Sequence, residues 1–158
     1  MMLEEKQLPY TIKRINLLSY GEKPEWLYDV SGTGLMPVLE VGGRILRESV
    51  DICKFIDWWR GNEVSPAGKN TNRLWPNKGD TLHAEAEELL GLERDLFRDW
   101  FIYLFEGPEE RGQEEFWATL LQVETALAKT SDDPWFLPGT DPSLVDIVFA
   151  PKVERMVA

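Results

Sequence analysis

The sequence predicts two structural units in series, an α/β unit followed by an all-helical one. Residues 34–49 read as two short strands around a Gly-Gly turn that runs directly into a helix. Residues 80–105 carry one long amphipathic pattern. Between them, residues 61–79 form a Gly/Pro/Asn-rich break with the composition of a linker. The expected bounds are 1–60 for the first unit, 61–79 for the linker and 80–158 for the second unit.

Met1 to Gln7 reads as the last turns of a helix, with Leu3 apolar, good helix formers around it and Pro9 forcing an exit. Tyr10 to Leu17 alternates irregularly, with Ile12, Ile15 and Leu17 among polar residues, and is expected to be a strand. Ser19 to Thr33 is a loop holding a short helix near Glu25–Asp29, with Pro24 at its first position. Lys23 reads as a solvated lysine that can also reach a ligand carboxylate. Val38, Leu39 and Val41 then make one β-prone run, and Ile45 and Leu46 a second. Gly42-Gly43 supplies the positive φ that a two-residue hairpin turn needs. Pro37 sits at the strand start, where a missing N–H does least harm, and Ser49 is a good N-cap. In the helix from Ser49 to Arg60, Ile52, Phe55, Ile56 and Trp59 follow core spacing. Cys53 lies beside that stripe and reads as a buried, inert thiol, because free Cys is among the most buried residue types and a nucleophile wants a helix N-terminus or a cationic neighbour.

Leu74 and Trp75 are expected to pin the break to one unit. No G-K-[ST] follows a strand, so the break is not a phosphate loop. In the long helix, Leu82, Ala86, Leu89, Leu90, Phe97, Trp100, Phe101 and Leu104 share one broad face, and Asp80 can cap it. Glu85, Glu87, Glu88, Glu93, Arg94, Asp95 and Arg98 are read as the solvated face. His83, the single histidine, has no ligand-spaced partners, so no metal is expected. Gly107-Pro108 ends that helix. Gln113–Lys129 is the next, with Phe116, Leu120, Val123 and Leu127 apolar, and Ser131-Asp132-Asp133-Pro134 breaks it. Ser143 and Asp146 then form a capping-box-like start in which each side chain can serve the other's backbone N–H.

A net charge of -11 argues against general nucleic-acid binding and against anionic membrane surfaces. One cysteine allows no internal disulfide and fits a reducing compartment. No apolar run approaches a membrane span, and no signal segment is visible.

The run G-x-M-P-V-L-E-V-x-G-x-x-L-x-E-S at 34–49, followed by Ile52 and Phe55-Ile56, resembles the glutathione-site half of the glutathione transferases. The run F-L-P-G-T-D-P-S-L-V-D-I at 136–147 resembles that family's motif at the buried helix of its second domain, where its role is folding. L-E-E-K-x-x-P-Y at the start is similar to the end of the family's first helix, and the style is nearest the omega, lambda and dehydroascorbate-reductase-like branches. The resemblance implies a thioredoxin-like first domain with its first strand missing, plus an all-α second domain, truncated at both ends. It implies a cis peptide before Pro37 and glutathione lying along Met36-Pro37, with its γ-glutamyl end on Glu48 and Ser49. The free N–H groups and dipole at that helix start favour a carboxylate. The family's catalytic Cys, Ser or Tyr is expected upstream of Met1, so no catalytic residue is assigned and activity in this form is expected to be impaired. Where many members carry a lysine for the glycyl carboxylate, this chain has Leu35, and Arg44 or Arg47 is the expected substitute. The implied chemistry is thiol transfer, conjugation or reduction of an electrophilic or disulfide small molecule. The implied setting is the cytoplasm, with a plastid or other organelle open, and the assembly a homodimer or larger complex. The alternative is a non-catalytic interaction module, to which the seven tryptophans are suited.

Overall fold

A computed structural model describes residues 1–15, 23–60, 73–105, 110–130 and 133–157. Its elements are α1 (Met2–Glu5), α2 (Glu25–Ser31), β1 (Val38–Val41), β2 (Arg44–Arg47), α3 (Ser49–Arg60), α4 (Thr81–Phe105), α5 (Glu110–Ala128) and α6 (Leu144–Val157). The chain divides into two compact units, Met1–Arg73 and Leu74–Ala158. Most of the expected linker, residues 61–72, lies outside the described residues, as do Leu17, Gly107-Pro108 and Ser131-Asp132.

In the first unit, α1 closes as a Schellman turn without glycine. Gln7 adopts a φ of 51°, its N–H reaches Glu4 O at 2.9 Å, and Leu8 N–H reaches Leu3 O at 2.9 Å. The expected strand from Tyr10 does not form over residues 10–15, which carry no regular structure. Among the described residues the sheet has β1 and β2 alone, so this segment has no ladder to join. Side chains fasten it instead. Tyr10 donates to Glu4 Oε1 at 2.5 Å, and Lys13 Nζ sits 3.5 Å from the Trp26 ring centre. Ile12, left without a sheet face to cover, is 65% exposed. Pro24 stands one place earlier than expected, as the N-cap of α2 with φ -61° and ψ 139°.

The hairpin is antiparallel, with Val38 opposite Arg47 and Leu39 opposite Leu46. Gly42 and Gly43 have φ of 54° and 75°, the two left-handed residues of a type I′ turn. The ladder packs on α3. Ile52 and Ile56 are buried as expected, but Trp59 is 41% exposed. The inward place goes to Asp57, because α1 packs on that side of α3 and brings Lys6 to it. Lys6 Nζ lies 2.7 Å from Asp57 Oδ1, with both side chains almost fully buried.

The second unit is a three-helix cluster. Ala86, Leu89 and Leu96 of α4 meet Phe116, Val123 and Ala126 of α5, Val145 and Phe149 of α6, and Phe136 and Leu137 before it. Leu74 O accepts Leu144 N–H at 2.9 Å, and Trp75 packs against this core. Two expectations for α4 are corrected. Phe101 and Leu104 are each 50% exposed. Glu93, assigned to the solvated face, is 1% exposed, because it forms an ion pair with Lys152 of α6. Burial pushes the Lys152 pKa down, and its ammonium also stands 4.9 Å from the Phe97 ring centre. Asp99 is likewise buried, accepting from Thr119 Oγ1 at 2.7 Å and from Arg98 Nε at 2.9 Å. The Asp80 carboxylate turns back to accept Asn77 N–H at 2.7 Å, closing the turn before α4.

At the start of α6, Asp146 does the accepting. Its Oδ2 takes Ser143 N–H at 2.8 Å and Ser143 Oγ–H at 2.6 Å, and its Oδ1 takes Phe136 N–H at 2.9 Å. The Ser143 hydroxyl thus meets the Asp146 carboxylate, where the sequence had suggested it would serve the Asp146 N–H. The carboxylate in addition anchors the loop that delivers Phe136 to the core.

Candidate functional site

The hairpin register brings the candidate residues to one place. The ladder ends at the Val38–Arg47 pair, so Met36-Pro37 and Glu48-Ser49 leave the two strands side by side. The Met36–Pro37 peptide is cis. Met36, Pro37, Glu48 and Ser49 are all exposed. Glu48 has φ 65°, a left-handed conformation uncommon for a residue with a Cβ, and this kink converts strand into helix within one residue. Glu48 O accepts Ile52 N–H at 2.9 Å, the first bond of α3. Ser49 is therefore the first helical residue and Glu48 the residue that caps it. The N–H groups of Ser49, Val50 and Asp51 belong to the first turn, which has no intrahelical partners for them.

Two carboxylates, Glu48 and Asp51, stand at this positive helix end. A bare anion seated there would meet both. A group carrying an ammonium beside its carboxylate satisfies the helix N–H groups and the carboxylates together. The groups gathered between Pro37 and Ser49 would suit a ligand that carries both charges, as an amino-acid zwitterion does.

A ligand with a second carboxylate would need a cation farther along the 34–37 segment. Arg44 does not supply it: it pairs with Val41 at the turn, about 10 Å from Arg47 at 3.3 Å per strand residue. Arg47 is held elsewhere, with its guanidinium donating to Val30 O at 3.0 Å. Lys23, expected to be solvated, is the cation that the fold turns toward this segment. It is half-buried, and its ammonium donates to Gly34 O at 2.8 Å. An ammonium has three donors, so two stay available. The signal for it was its place just before Pro24, where the turn into α2 folds it back on the residues ahead of Met36.

Cys53 is half-buried, more open than the buried place expected of it, because it lies at the edge of the Ile52–Ile56 stripe. Burial pushes its thiol pKa up, and the N-terminal ammonium offsets this only in part. It is thus a neutral thiol at pH 7, which suits the inert reading. The His83 ring packs edge-on to Trp75 at 5.6 Å, and Nδ1 lies 3.1 Å from Pro76 O, a structural placement. Among the described residues, no group of three or more His, Cys, Asp or Glu could hold a metal ion. No helix among them is long and apolar enough to cross a membrane.

The chain is similar to known proteins over both units. Residues 1–58 match the family model "Glutathione S-transferase, N-terminal domain", and residues 93–158 match "Glutathione S-transferase, C-terminal domain". Pyrimidodiazepine synthase of Drosophila melanogaster is 31% identical over 160 residues, covering 99% of this chain and 58% of that protein. Glutathione S-transferase DHAR2 of Arabidopsis thaliana is 37% identical over 156 residues, covering 99% of this chain and 63% of that one. The solved structure of glutathione transferase Omega 3C from Trametes versicolor superposes with a TM-score of 0.72 at 28% identity, covering 98% of this chain and 64% of that one. The chain thus spans less than two thirds of the length of these relatives. The fold is a thioredoxin-like first domain with few strands and a helical second domain.

Proposed function

Since the chain belongs to the glutathione S-transferase family, we propose that it binds glutathione in the service of thiol transfer, conjugation or reduction, with an electrophile or a disulfide as second substrate. Glutathione offers a zwitterionic γ-glutamyl end, a peptide-like middle and a glycyl carboxylate. The observation that carries the reading is the helix start at Glu48-Ser49, where two carboxylates flank free N–H groups. There the γ-glutamyl carboxylate meets the α3 N–H groups and Ser49, and the γ-glutamyl ammonium meets Glu48. The middle of the tripeptide pairs with the Met36 backbone as an added strand beside the cis Pro37. The glycyl carboxylate meets the Lys23 ammonium. Binding there sets the thiol in place, and thiolate formation is the chemical core of each of these reactions. In this reading no described residue takes the catalytic role. The reading carries a reducing, cytoplasmic setting.

Calorimetric titration of glutathione tests this. Glu48→Gln and Ser49→Ala are each expected to weaken binding about tenfold, the loss of one charge-assisted hydrogen bond. Titration curves that ignore both substitutions would remove the site from this helix start.

A second reading, a docking role within a homodimer or larger assembly, is favoured by one observation. Phe101 and Phe105 of α4 and Trp117 and Leu121 of α5 are exposed by half or more. Light scattering checks it: a mass of 18.2 kDa at micromolar concentration would leave those faces uncovered and count against self-association.

A further inference from the structure

Granted the glutathione reading above, we infer that Ser31 is a positioning residue for the recognition of the glycyl carboxylate. Ser31 ends α2 and is 1% exposed. Its Oγ accepts Gly34 N–H at 2.6 Å and Thr33 N–H at 3.2 Å. The other side of the same glycine faces the ligand machinery, since Gly34 O accepts the Lys23 ammonium at 2.8 Å. Gly34 thus links the buried hydroxyl to the cation: Ser31 holds its N–H, and its carbonyl, one peptide on, holds Lys23.

The turn around this glycine has little freedom of its own. Gly32 and Gly34 have φ of 73° and 69°, which only glycine adopts without strain. Gly32 N–H closes α2 on Tyr28 O at 2.7 Å. The Tyr28 ring covers Gly34 so closely that an added Cβ would lie 2.5 Å from Cε1. Arg47 holds Val30 O from the β2 side. Within this frame two N–H groups bracket the Gly34 carbonyl: Leu35 N–H, in the carbonyl's own peptide, donates to Thr33 Oγ1 at 3.3 Å, and Gly34 N–H, in the preceding peptide, makes the shorter bond, to Ser31 Oγ. An alanine here strands a buried Gly34 N–H, and the peptide turns to seek another partner. Lys23 then loses the carbonyl that aims it, while Glu48, Ser49 and the N–H groups of α3 keep theirs.

The consequence is selective, and a ligand pair isolates it. γ-Glutamylcysteine has the zwitterionic end and the thiol of glutathione but lacks the glycyl residue. Calorimetric titration of the full chain with each ligand is expected to give, for Ser31→Ala, about a tenfold loss of glutathione affinity. The change for γ-glutamylcysteine should stay within about twofold, and Ser31→Thr, which keeps the hydroxyl, should restore glutathione binding. Lys23→Met should show the same selective loss, and the double variant should lose no more than Lys23→Met alone, because the two act through one contact. Equal losses on both ligands, or additive losses in the double variant, would overturn the role of Ser31 while leaving the binding site intact. Wild-type chain that binds neither ligand would remove the glutathione reading and this inference together. A measurement on the unsubstituted chain stands apart from any folding failure of the variants. The Gly34 amide resonance should be exchange-protected and should shift with glutathione but not with γ-glutamylcysteine. An unprotected amide, or one that shifts alike with both, overturns the inference.

Discussion

Removing either member of the Lys6–Asp57 pair should destabilise the first unit far more than an ordinary ion-pair deletion. The charges are 2.7 Å apart, with side-chain exposures of 1% and 2%. At an effective dielectric constant of about 20 their attraction is about 6 kcal/mol. Desolvation of two ions costs several kcal/mol each and offsets that gain, so the intact pair contributes little net stability. Taking one partner away removes the attraction and leaves the other ion's desolvation without that offset. Lys6→Met and Asp57→Leu should therefore each cost about 3–5 kcal/mol, whereas the double substitution, with two apolar side chains in the same space, should cost about 0–2 kcal/mol. Amide hydrogen exchange along α3, read by mass spectrometry against urea, measures each value locally. A single substitution costing under about 1 kcal/mol would show a solvated pair, the range of surface ion pairs. A double variant as unstable as the singles would show that packing, and not charge, governs the site.

Glu48→Gly should stabilise the fold by about 1 kcal/mol by relieving the left-handed φ of 65°, while weakening glutathione binding; urea titration and calorimetry on the same sample separate the two. Asp146→Ala removes the acceptor for Ser143 N–H, Ser143 Oγ–H and Phe136 N–H, and should cost about 2–4 kcal/mol in urea unfolding, a lost cap plus two further hydrogen bonds. Alkylation of Cys53 by iodoacetamide should be slow at pH 7 and rise only above the ordinary thiol range, since burial holds its pKa up. Its folded-state pKa lies above the unfolded one, so its share of stability is complete below the unfolded value and is lost as pH rises through the folded one; a fast reaction at pH 7 would contradict this.

Features written in local chemistry were legible before any coordinates. Gly42-Gly43 dictates the hairpin turn through positive φ. Pro37 marks a strand start, and Ser143 and Asp146 mark a helix start, each within a few bonds of the group that it serves. What sequence spacing missed depends on partners distant in the chain. Glu93 looks like any solvated acid on an amphipathic helix until α6 brings Lys152 to it. Lys6 and Asp57, far apart in the chain, become partners only when α1 lies on α3. The segment from Tyr10 has an alternation fit for a strand, but a strand exists only where a neighbour shares its ladder, and the described residues offer none. Lys23 was visible as the cation of its loop, yet its burial follows from Gly34 folding back on it, which no periodicity encodes.

The kink at Glu48 joins the last rung of the hairpin to the first turn of a helix, so the surface it presents exists only when both are formed. A molecule seated on that junction has no counterpart to bind in the unfolded chain. Occupancy therefore acts as a thermodynamic brace, raising the unfolding free energy by about 2.7 kcal/mol when ligand stands at a hundred times its dissociation constant. For this chain the melting temperature in the presence of ligand becomes a direct gauge of affinity, readable without any turnover.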